Sequence, residues 1–278
     1  MTTSLAVTGA TGQIGGRVAR HLADAGLPTR LVVRDAARAP QLPGSETAVA
    51  PYADADAVRA ALEGITTVFM ASAGESADRV EQHRTFVDAA TAAGVKHLVY
   101  LSFYGAAADS AFTLGRDHGA TEDHIRASGL DWTFLRDNFY AEAFAMMAGK
   151  DRVIRGPASD GRVAAVAQDD VGAVAAAVLT DPAAHRNTAY ELTGPEAVTL
   201  TEMAQSMTTA TGKTHTYYDE TLDEARASRA SYGAPDWEIA AWISTYTAIA
   251  DGELERVSGD VERLLGRPAT PLATVFGA

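Results

Sequence analysis

Short apolar runs alternate with amphipathic segments along the first half of the chain. The apolar run 4–8 ends in glycine, and the segment after it carries Ile14, Val18 and Leu22 at helical spacing. Further strands are predicted over 29–33, 67–71, 97–102 and 131–136. Helices are predicted over 54–64 and 78–94, and residues 122–128 complete a further helix. Strands that alternate with such helices pair in parallel through right-handed crossovers. The pattern therefore predicts an α/β fold with a doubly wound parallel sheet.

The pattern loosens beyond Arg136. A strand, a helix and another strand are predicted over 162–166, 169–179 and 189–193, with mostly helical segments from Leu200. We expect a sheet-forming core over residues 1–194, with part of a second lobe inserted around 140–165. A smaller, mostly helical C-terminal lobe is expected over 195–278. It should cover the carboxyl edge of the sheet, where open α/β folds bind ligands.

Composition narrows the classes of function. The absence of cysteine excludes disulfides, thiolate nucleophiles and sulfur-ligated metals, and the seven histidines show no metal-ligand spacing, so no metal site is predicted. A formal net charge of −13 argues against nucleic acid as a partner. Residues 1–5 lack a basic flank and a long apolar run, and no later stretch reaches membrane-spanning length. We expect a cytoplasmic protein with no membrane partner.

The strongest motif is the glycine-rich loop that joins the first predicted strand to the first predicted helix. Its glycines are spaced G-x-x-G-x-x-G, with alanine where the commoner G-x-G-x-x-G pattern has glycine. Glycine lets backbone approach a pyrophosphate, and the amides that open the helix donate to it. This context is typical of a dinucleotide-binding Rossmann fold, and a purely structural turn is the alternative. The predicted cofactor-binding residues here are Gly9, Ala10, Thr11, Gly12, Gln13, Ile14 and Gly15.

The end of the second predicted strand bears on the choice of cofactor. Dinucleotide folds place an acidic residue there for NAD and an arginine for NADP. Arg34 comes first after the strand, and Arg38 lies one turn later, where it can join Arg34 on a 2′-phosphate. We expect Asp35 to point elsewhere. The pattern favours NADPH over NADH, although Arg38 is equally consistent with a solvated charge.

Several motifs carry a resemblance over nearly the whole chain. They lie at 7–15, 33–34, 92–96, 128–136, 169–171, 190–194 and 261–268. Together they resemble the NmrA-like atypical short-chain dehydrogenases/reductases, and within that family the type 2 NAD(P)H:quinone oxidoreductases and their dye-reducing relatives. The resemblance implies a Rossmann core, an NADP(H) site, a small C-terminal substrate lobe and often a homodimer. It also implies that Ala71 and Ser72 pass beside the nicotinamide ribose. Pro51 departs from the family, which commonly has an aspartate there near the adenine.

The usual proton donor of the superfamily is missing. Classical members use a tyrosine four residues before a lysine, and none of Lys96, Lys150 and Lys213 follows a tyrosine at that spacing. Some NmrA-like reductases carry a lysine about where this chain has His118. Reduction of a simple ketone needs general-acid help, whereas reduction of a quinone restores aromaticity and delocalises charge. The sequence therefore favours a quinone-like or conjugated small-molecule acceptor.

Two predicted strand ends supply candidates for the acceptor pocket. Phe103, Asn138, Phe139 and Tyr140 are predicted substrate residues, and Ser102, Tyr104 and His118 are predicted catalytic residues. We expect the aromatic rings to stack on a flat acceptor, with packing in the core as the alternative. Tyr104 or His118 is expected to donate the proton, and a structural position is the alternative for His118. Arg136 and the pair at 169–170 are expected to be structural.

Three functions fit these observations. The leading hypothesis is an NADPH-dependent reductase that transfers hydride to a quinone or a similar flat conjugated acceptor. A non-catalytic NADP(H)-sensing regulator is the first alternative, because an intact loop without an acid pair suits it as well. The second is a reductase or isomerase devoted to one natural-product pathway.

Overall fold

The structure is a computed structural model that describes residues 4–277. The expectation about the start of the chain falls partly on residues 1–3, which lie outside the described residues. The strands are β1 Leu5–Thr8, β2 Thr29–Val33, β3 Ser45–Val49, β4 Thr67–Met70, β5 His97–Phe103, β6 Asp131–Asp137, β7 Val153–Gly156, β8 Arg162–Val163, β9 Thr188–Leu192, β10 Val198–Thr199 and β11 Thr216–Asp219.

The helices are α1 Gln13–Asp24, α2 Ala55–Ala61, α3 Arg79–Ala92, α4 Thr113–Ala127, α5 Ala141–Met147, α6 Gln168–Thr180, α7 Leu200–Thr211, α8 Leu222–Ala230, α9 Asp236–Ala250, α10 Asp260–Leu265 and α11 Leu272–Gly277. Two 3-10 helices, Ala36–Arg38 and Pro182–His185, stand among them. In the described chain no helix combines the length and the apolar character needed to cross a bilayer.

One seven-stranded sheet organises the fold, in the order β3-β2-β1-β4-β5-β6-β9. β1 lies between β2 and β4 and pairs in parallel with both, Ala6 standing opposite Arg30 and Val68. The chain thus moves outward in one direction from β1 to β3 and in the other from β4. This reversal places a crevice at the carboxyl ends of β1 and β4, where doubly wound folds bind ligands. The predicted fold class is confirmed.

Helical periodicity was most informative where one face of a helix is buried. Ile14, Val18 and Leu22 are all buried on α1, as their spacing predicts. β3 carries no comparable signal, because it is an edge strand with mostly exposed side chains. α4 begins at Thr113, well before the segment predicted from 122–128. Gly115 weakens the helical signal in the first turn. The structure explains this glycine, because a Cβ there would come within 2.7 Å of the Ser110 hydroxyl.

The described chain divides into two compact units. The first comprises the residues up to Ser102 together with His118–Arg136 and Val171–Tyr190. The second comprises Phe103–Asp117, Asp137–Asp170 and the residues from Glu191 onward. The core of the first packs helices on the sheet through fully buried side chains that include Phe86, Tyr100 and Phe134.

The second unit has a core of its own, made by helices and two small sheets. β8 pairs with β10 in antiparallel fashion, and β7 pairs with β11 in parallel. Buried members of this core include Phe144, Met203 and Ile249. The predicted strand 162–166 is shorter in the structure, because only Arg162–Val163 pairs with β10.

Candidate active site

The glycine-rich loop leaves β1 in a conformation that favours glycine. Gly9 has a φ of +66°, and a Cβ there would lie 2.8 Å from the Cβ of Ala71. The amide of Gly12 donates to the carbonyl of Gly9 over 2.8 Å and closes the turn. Both backbone conformation and the nearby loop after β4 therefore require glycine at position 9. The structure brings three predicted cofactor residues, Gly9, Gly12 and Ala71, together here.

α1 starts directly on this loop without a side-chain cap. Gly12 is the N-cap residue, and the first turn contains no acidic side chain. A Cβ on Gly15 would lie 2.3 Å from the Gly9 carbonyl oxygen, so only glycine lets the helix approach the loop this closely. Amides at an uncapped helix start have no intrahelical acceptor and attract anions. The loop and the helix start thus fit the pyrophosphate of a dinucleotide.

Side chains of the loop divide into exposed and buried sets. Thr11 and Gln13 are exposed, whereas Ala10 and Ile14 are buried and can offer only backbone to a ligand. Arg17, one turn along α1, donates from Nη1 to the backbone oxygen and to Oε1 of Gln13, each over 3.0 Å. This contact orders the Gln13 side chain and adds positive charge near the helix start.

Arg34 stands exposed directly after β2. No described carboxylate pairs with it, so its guanidinium is available to an anion. Asp35 instead accepts a hydrogen bond from the amide of Ala37 over 2.9 Å and caps the 3-10 helix that follows. Arg38 is the exposed last residue of that helix. Both arginines are therefore exposed on one short segment, and the side chain of Asp35 is occupied elsewhere, so a 2′-phosphate contact stays a prediction for Arg34 and Arg38.

Tyr52, next to Pro51, ties the ends of β1 and β4 together. Its hydroxyl donates to the carbonyl of Ala71 over 2.6 Å and makes a short hydrogen bond with the hydroxyl of Thr8. The amide of Ala71 donates in turn to Thr8 Oγ1 over 2.9 Å. The ring of Tyr52 packs on Phe86 at 4.5 Å between centroids, and burial raises the pKa of its phenol. These three mutual hydrogen bonds fix the backbone that faces the glycine loop.

Two buried side chains hold the backbone just after Ser72. The amide of Ala73 donates to Nε2 of His83 over 2.8 Å, and Arg79 Nε donates to the carbonyl of Ala73 over 2.9 Å. Because Nε2 accepts, the proton of His83 is on Nδ1, which donates to Thr121 over 2.9 Å. Burial lowers the pKa of His83 to about 3, and the Arg79 charge adds to this effect. His83 is therefore neutral at ordinary pH, and the segment through Ser72 has a defined path.

His118 belongs to the same buried cluster and has both ring nitrogens engaged. Arg79 Nη2 donates to Nε2 over 2.9 Å, which places the proton on Nδ1 and directs it to the hydroxyl of Tyr100, also at 2.9 Å. Burial, followed by the charge of Arg79, keeps the pKa of His118 well below its usual range. A neutral, buried imidazole with its one N–H directed at Tyr100 is poorly suited to donate a proton to an acceptor. This geometry favours the structural alternative.

Ser102 also makes a contact that occupies its hydroxyl. It is fully buried and donates to Glu122 Oε1 over 2.6 Å. Glu122 accepts two hydrogen bonds from Arg136, at 2.8 and 2.6 Å, and one from Arg126 at 2.8 Å. The carboxylate is thus buried but well compensated, as a stable buried ion pair requires. Arg136 is structural in this arrangement, as expected, and the Ser102 proton is directed at Glu122.

Tyr104 retains the features of a proton donor. It is buried, and its phenol oxygen accepts from Arg256 Nε over 3.2 Å. Arg256 also pairs with Glu191, and the bond to Tyr104 followed by the Glu191 charge raises the pKa of the guanidinium. No hydrogen bond from the Tyr104 hydroxyl to another described residue is seen, and proton donation stays a prediction for Tyr104. A cation on the same oxygen stabilises charge that develops there.

The predicted substrate aromatics pack mainly on one another. Phe103 lies 4.7 Å from Phe112 and 4.9 Å from Phe139 between ring centroids, and Phe112 lies 5.0 Å from Phe139. Phe103 belongs to the core of the second unit, and the partly buried Phe139 packs against that core. The amide of Asn138 is used within the protein, since Nδ2 donates to the Leu254 carbonyl and Oδ1 accepts from the Phe139 amide. Stacking on an acceptor stays a prediction for Phe139, which is the more exposed ring.

Tyr140 contacts a carboxyl group that the sequence analysis did not single out. Its hydroxyl makes a short hydrogen bond with Oδ2 of Asp137, the last residue of β6. Asp137 is buried, and burial raises the pKa of its carboxyl to about 8. At neutral pH this carboxyl is therefore mostly protonated.

The residues of these contact networks that were missed from sequence include Tyr52, Arg79, His83, Asp137 and Arg256. Asp137 had a usable signal, because it stands at a predicted strand end beside the predicted Asn138. Arg256 had none, because 152 positions separate it from Tyr104. The pairing of distant residues depends on the folded chain.

The match to known families agrees with this arrangement. Residues 1–227 match the NmrA-like family. The chain belongs to the NmrA-like family. This confirms the resemblance drawn from the glycine loop and the later motifs.

Three relatives of this NmrA-like chain are named as reductases or oxidoreductases. NAD(P)H azoreductase of Xenophilus azovorans is 34% identical, with 96% of this chain and 94% of that protein aligned. Quinone oxidoreductase 2 of Escherichia coli strain K12 is 35% identical, with 97% and 96% aligned. A (4-alkanoyl-5-oxo-2,5-dihydrofuran-3-yl)methyl phosphate reductase of Streptomyces griseus is 35% identical, with 95% and 94% aligned.

Solved structures extend the comparison to the fold. An Escherichia coli NADPH-dependent quinone oxidoreductase complexed with NADPH has a TM-score of 0.90 at 33% identity, with 98% of each chain covered. The negative transcriptional regulator NmrA in complex with NADP has a TM-score of 0.76 at 17% identity, with 100% of this chain and 95% of that chain covered. At 17% identity the similarity to the regulator shows a shared fold and carries no information about function.

Removal of the Glu122 carboxylate tests the buried network. In Glu122→Ala, Arg136 and Arg126 lose their shared acceptor, and we expect the free energy of unfolding to fall by about 3–5 kcal/mol. Urea denaturation followed by circular dichroism measures this fall. Asp123→Ala is the matched control, because Asp123 is an exposed carboxylate on the same helix that also pairs with Arg126. It should change stability by less than about 0.5 kcal/mol. Similar losses in the two variants would contradict the assigned role of Glu122.

Proposed function

We propose that this chain is an NADPH-dependent reductase that transfers hydride to a quinone or another flat conjugated acceptor. The observation that carries the proposal is the similarity at 34–35% identity, over nearly the full length, to an azoreductase and a quinone oxidoreductase. The alignment spans both compact units, so it includes the segments that carry Tyr104 and Tyr140 as well as the glycine loop.

The first unit fits the cofactor. The uncapped start of α1 and the loop at Gly9 and Gly12 would hold the pyrophosphate, and Arg34 with Arg38 would hold the 2′-phosphate of NADPH rather than the ribose of NADH. Ala71 and Ser72 would pass beside the nicotinamide ribose on backbone anchored by Tyr52 and His83. When bound, the dihydronicotinamide supplies the hydride, and the protein supplies position. The likeness to an NADPH complex at 33% identity supports this assignment.

The second unit fits an acceptor that needs little acid catalysis. Tyr104 offers one phenolic proton, and Arg256 on its oxygen stabilises the charge left behind. A lysine four residues after a tyrosine, which lowers the barrier for ketones in classical members, is absent from the sequence. A quinone or an azo group delocalises the added charge, so a single weak donor and a well-oriented ring are sufficient.

The alternatives differ in their support. The regulator hypothesis has only a shared fold behind it, at 17% identity. A pathway-specific reductase is better supported, because a relative at 35% identity is named for reduction of a substituted dihydrofuran phosphate. That named compound also contains a ring double bond conjugated with carbonyl groups, so it belongs to the proposed acceptor class. A cytoplasmic location and a homodimer stay predictions.

Turnover with a panel of acceptors tests the proposed reaction. Purified protein should oxidise NADPH in the presence of benzoquinones, naphthoquinones or azo dyes, and should be much slower with unactivated ketones. Loss of absorbance at the nicotinamide band measures the rate, and product analysis identifies the reduced acceptor. Tight binding of NADPH with no turnover of any acceptor would contradict the proposal and favour the regulator.

Arg34→Ala tests the cofactor assignment. Loss of a charge-assisted contact to the 2′-phosphate is worth about 1.5–3 kcal/mol, which corresponds to a roughly 10- to 100-fold rise in the Kd for NADPH. The Kd for NADH should change by less than about threefold, because NADH lacks that phosphate. Isothermal titration calorimetry measures both constants. Arg59→Ala is the control, since Arg59 is an exposed arginine on α2 that pairs with Asp56. Equal weakening of both nucleotides in Arg34→Ala would rule out the proposed contact.

A further inference from the structure

Asp137 and Tyr140 form a buried pair at the end of β6. The Tyr140 hydroxyl and Oδ2 of Asp137 share a short hydrogen bond, and the two residues are three positions apart. Asp137 is only 4% exposed, whereas Tyr140 is partly exposed. The carboxyl is thus buried, and the phenol is the more exposed member of the pair.

No cation among the described residues pairs with the Asp137 carboxyl. Among residues 4–277 it has no ion pair, and its polar partners are the Tyr140 hydroxyl and its own backbone amide. The adjacent Arg136 pairs with Glu122. A buried carboxylate without a counter-charge is costly, so the neutral acid is the favoured form. In this form the carboxyl and the phenol each carry a proton, and the proton of the phenol lies in the hydrogen bond between them.

Ionisable groups on the neighbouring segments of the second unit are directed at one another. Tyr104 follows β5, Glu191 lies on β9 and Arg256 follows α9. Arg256 pairs with Glu191 and donates to Tyr104. Glu142, at the start of α5, accepts from the amide of Gln168. None of these described groups forms an ion pair or hydrogen bond with the Asp137 side chain.

Backbone hydrogen bonds hold this pair at the carboxyl end of β6. The amide of Tyr104 donates to the Asp137 carbonyl over 2.9 Å, and the amide of Asn138 donates to the Leu192 carbonyl over 3.0 Å. Tyr140 also pairs with Val166 in an isolated parallel bridge. Asp137 is the last residue of β6, so the pair follows the carboxyl end of that strand, the end at which doubly wound folds bind ligands.

We propose that Tyr140 delivers the one proton that the reduced acceptor takes up, while Tyr104 donates a hydrogen bond to the acceptor, and that Asp137 restores the proton of Tyr140. This inference rests on the proposed reductase function. Hydride from NADPH brings two electrons to a quinone and leaves a hydroquinone monoanion. The Tyr140 O–H bond then breaks as the anionic oxygen gains the proton, and the Asp137 carboxyl passes its own proton to the Tyr140 oxygen. The resulting carboxylate regains its proton from water through the partly exposed Tyr140 hydroxyl after the product leaves, so the net reaction consumes one hydride and one proton.

The protonation equilibrium of Asp137 sets the direction of the pH dependence. Burial raises the pKa of this carboxyl to about 8, so the donating form predominates below pH 8 and is lost above it. A group whose folded pKa is raised stabilises the fold most at low pH, and this contribution is lost as pH rises through the folded pKa. The rate should therefore decline above pH 8, whereas the contribution of Asp137 to stability should be lost progressively between its ordinary pKa of 3.8 and the raised pKa of about 8.

The decisive variants are Asp137→Asn and Tyr140→Phe, with Asp131→Asn as the matched control. Asn keeps the shape and the hydrogen bond to Tyr140 but cannot return a proton, and Asp131 lies at the opposite end of the same strand in an ion pair with Arg186. With 1,4-naphthoquinone at pH 6.5 we expect kcat to fall about tenfold or more in both pair variants, as for loss of a general acid. The wild-type loss of kcat near pH 8 should be absent in Asp137→Asn. Asp131→Asn should keep both the wild-type kcat and that loss.

Carbon-13 NMR of protein labelled at the aspartate carboxyl carbons gives a readout that does not depend on turnover. One carboxyl signal should titrate near pH 8 in the wild type and in Asp131→Asn and be missing in Asp137→Asn. A wild-type kcat and pH profile in Asp137→Asn, or an Asp137 signal that titrates near pH 4, would overturn the proton-donor role while leaving the reductase intact. Failure of the wild type to reduce any quinone would instead refute the reductase function itself, together with the role that rests on it.

Discussion

The close approach of α1 to the glycine loop is the contact on which the cofactor half of the protein depends. A Cβ on Gly15 would stand 2.3 Å from the Gly9 carbonyl oxygen, so the helix can start on the loop only because position 15 lacks a side chain. This places uncapped amides at the carboxyl end of β1. The hydrogen bonds among Thr8, Tyr52 and Ala71 then hold the loop after β4 beside the carboxyl end of β1. Backbone proximity, rather than a set of charged side chains, builds the anion site.

Two buried carboxyl groups, Glu122 and Asp137, differ in charge state because their surroundings differ. Glu122 accepts four hydrogen bonds, three of them from arginines, and so serves as a fixed ionic junction with Ser102 and Arg136. Asp137 has no ion pair with any residue in the described part of the chain and is held by the hydroxyl of Tyr140. The first group gains from being charged, and the second gains from being neutral at ordinary pH. Only the second carries a proton that it can give away.

The sequence predicted most strands and helices of the sheet well. Burial of one face gives α1 a helical period of apolar residues, and burial on both faces makes β5 a largely apolar run. It failed to mark β3, whose edge position leaves most of its side chains exposed. For the site, the loop and Arg34 were accessible because their chemistry is local to a few residues. Ser102 and His118 were candidates by position alone, and burial beside Glu122 and Arg79 favours structural positions for both.

The sequence by itself determined the parallel fold, the phosphate-binding loop and the lack of a tyrosine–lysine pair, because each depends on spacing along the chain. Tertiary structure decided which polar groups retain a proton to donate. His118 is engaged by Arg79 and Tyr100, Tyr104 receives Arg256 from far along the chain, and Asp137 is left without a counter-charge. The reason is physical: the protonation state of a side chain depends on burial and on nearby charges, and these arise only when distant segments pack together.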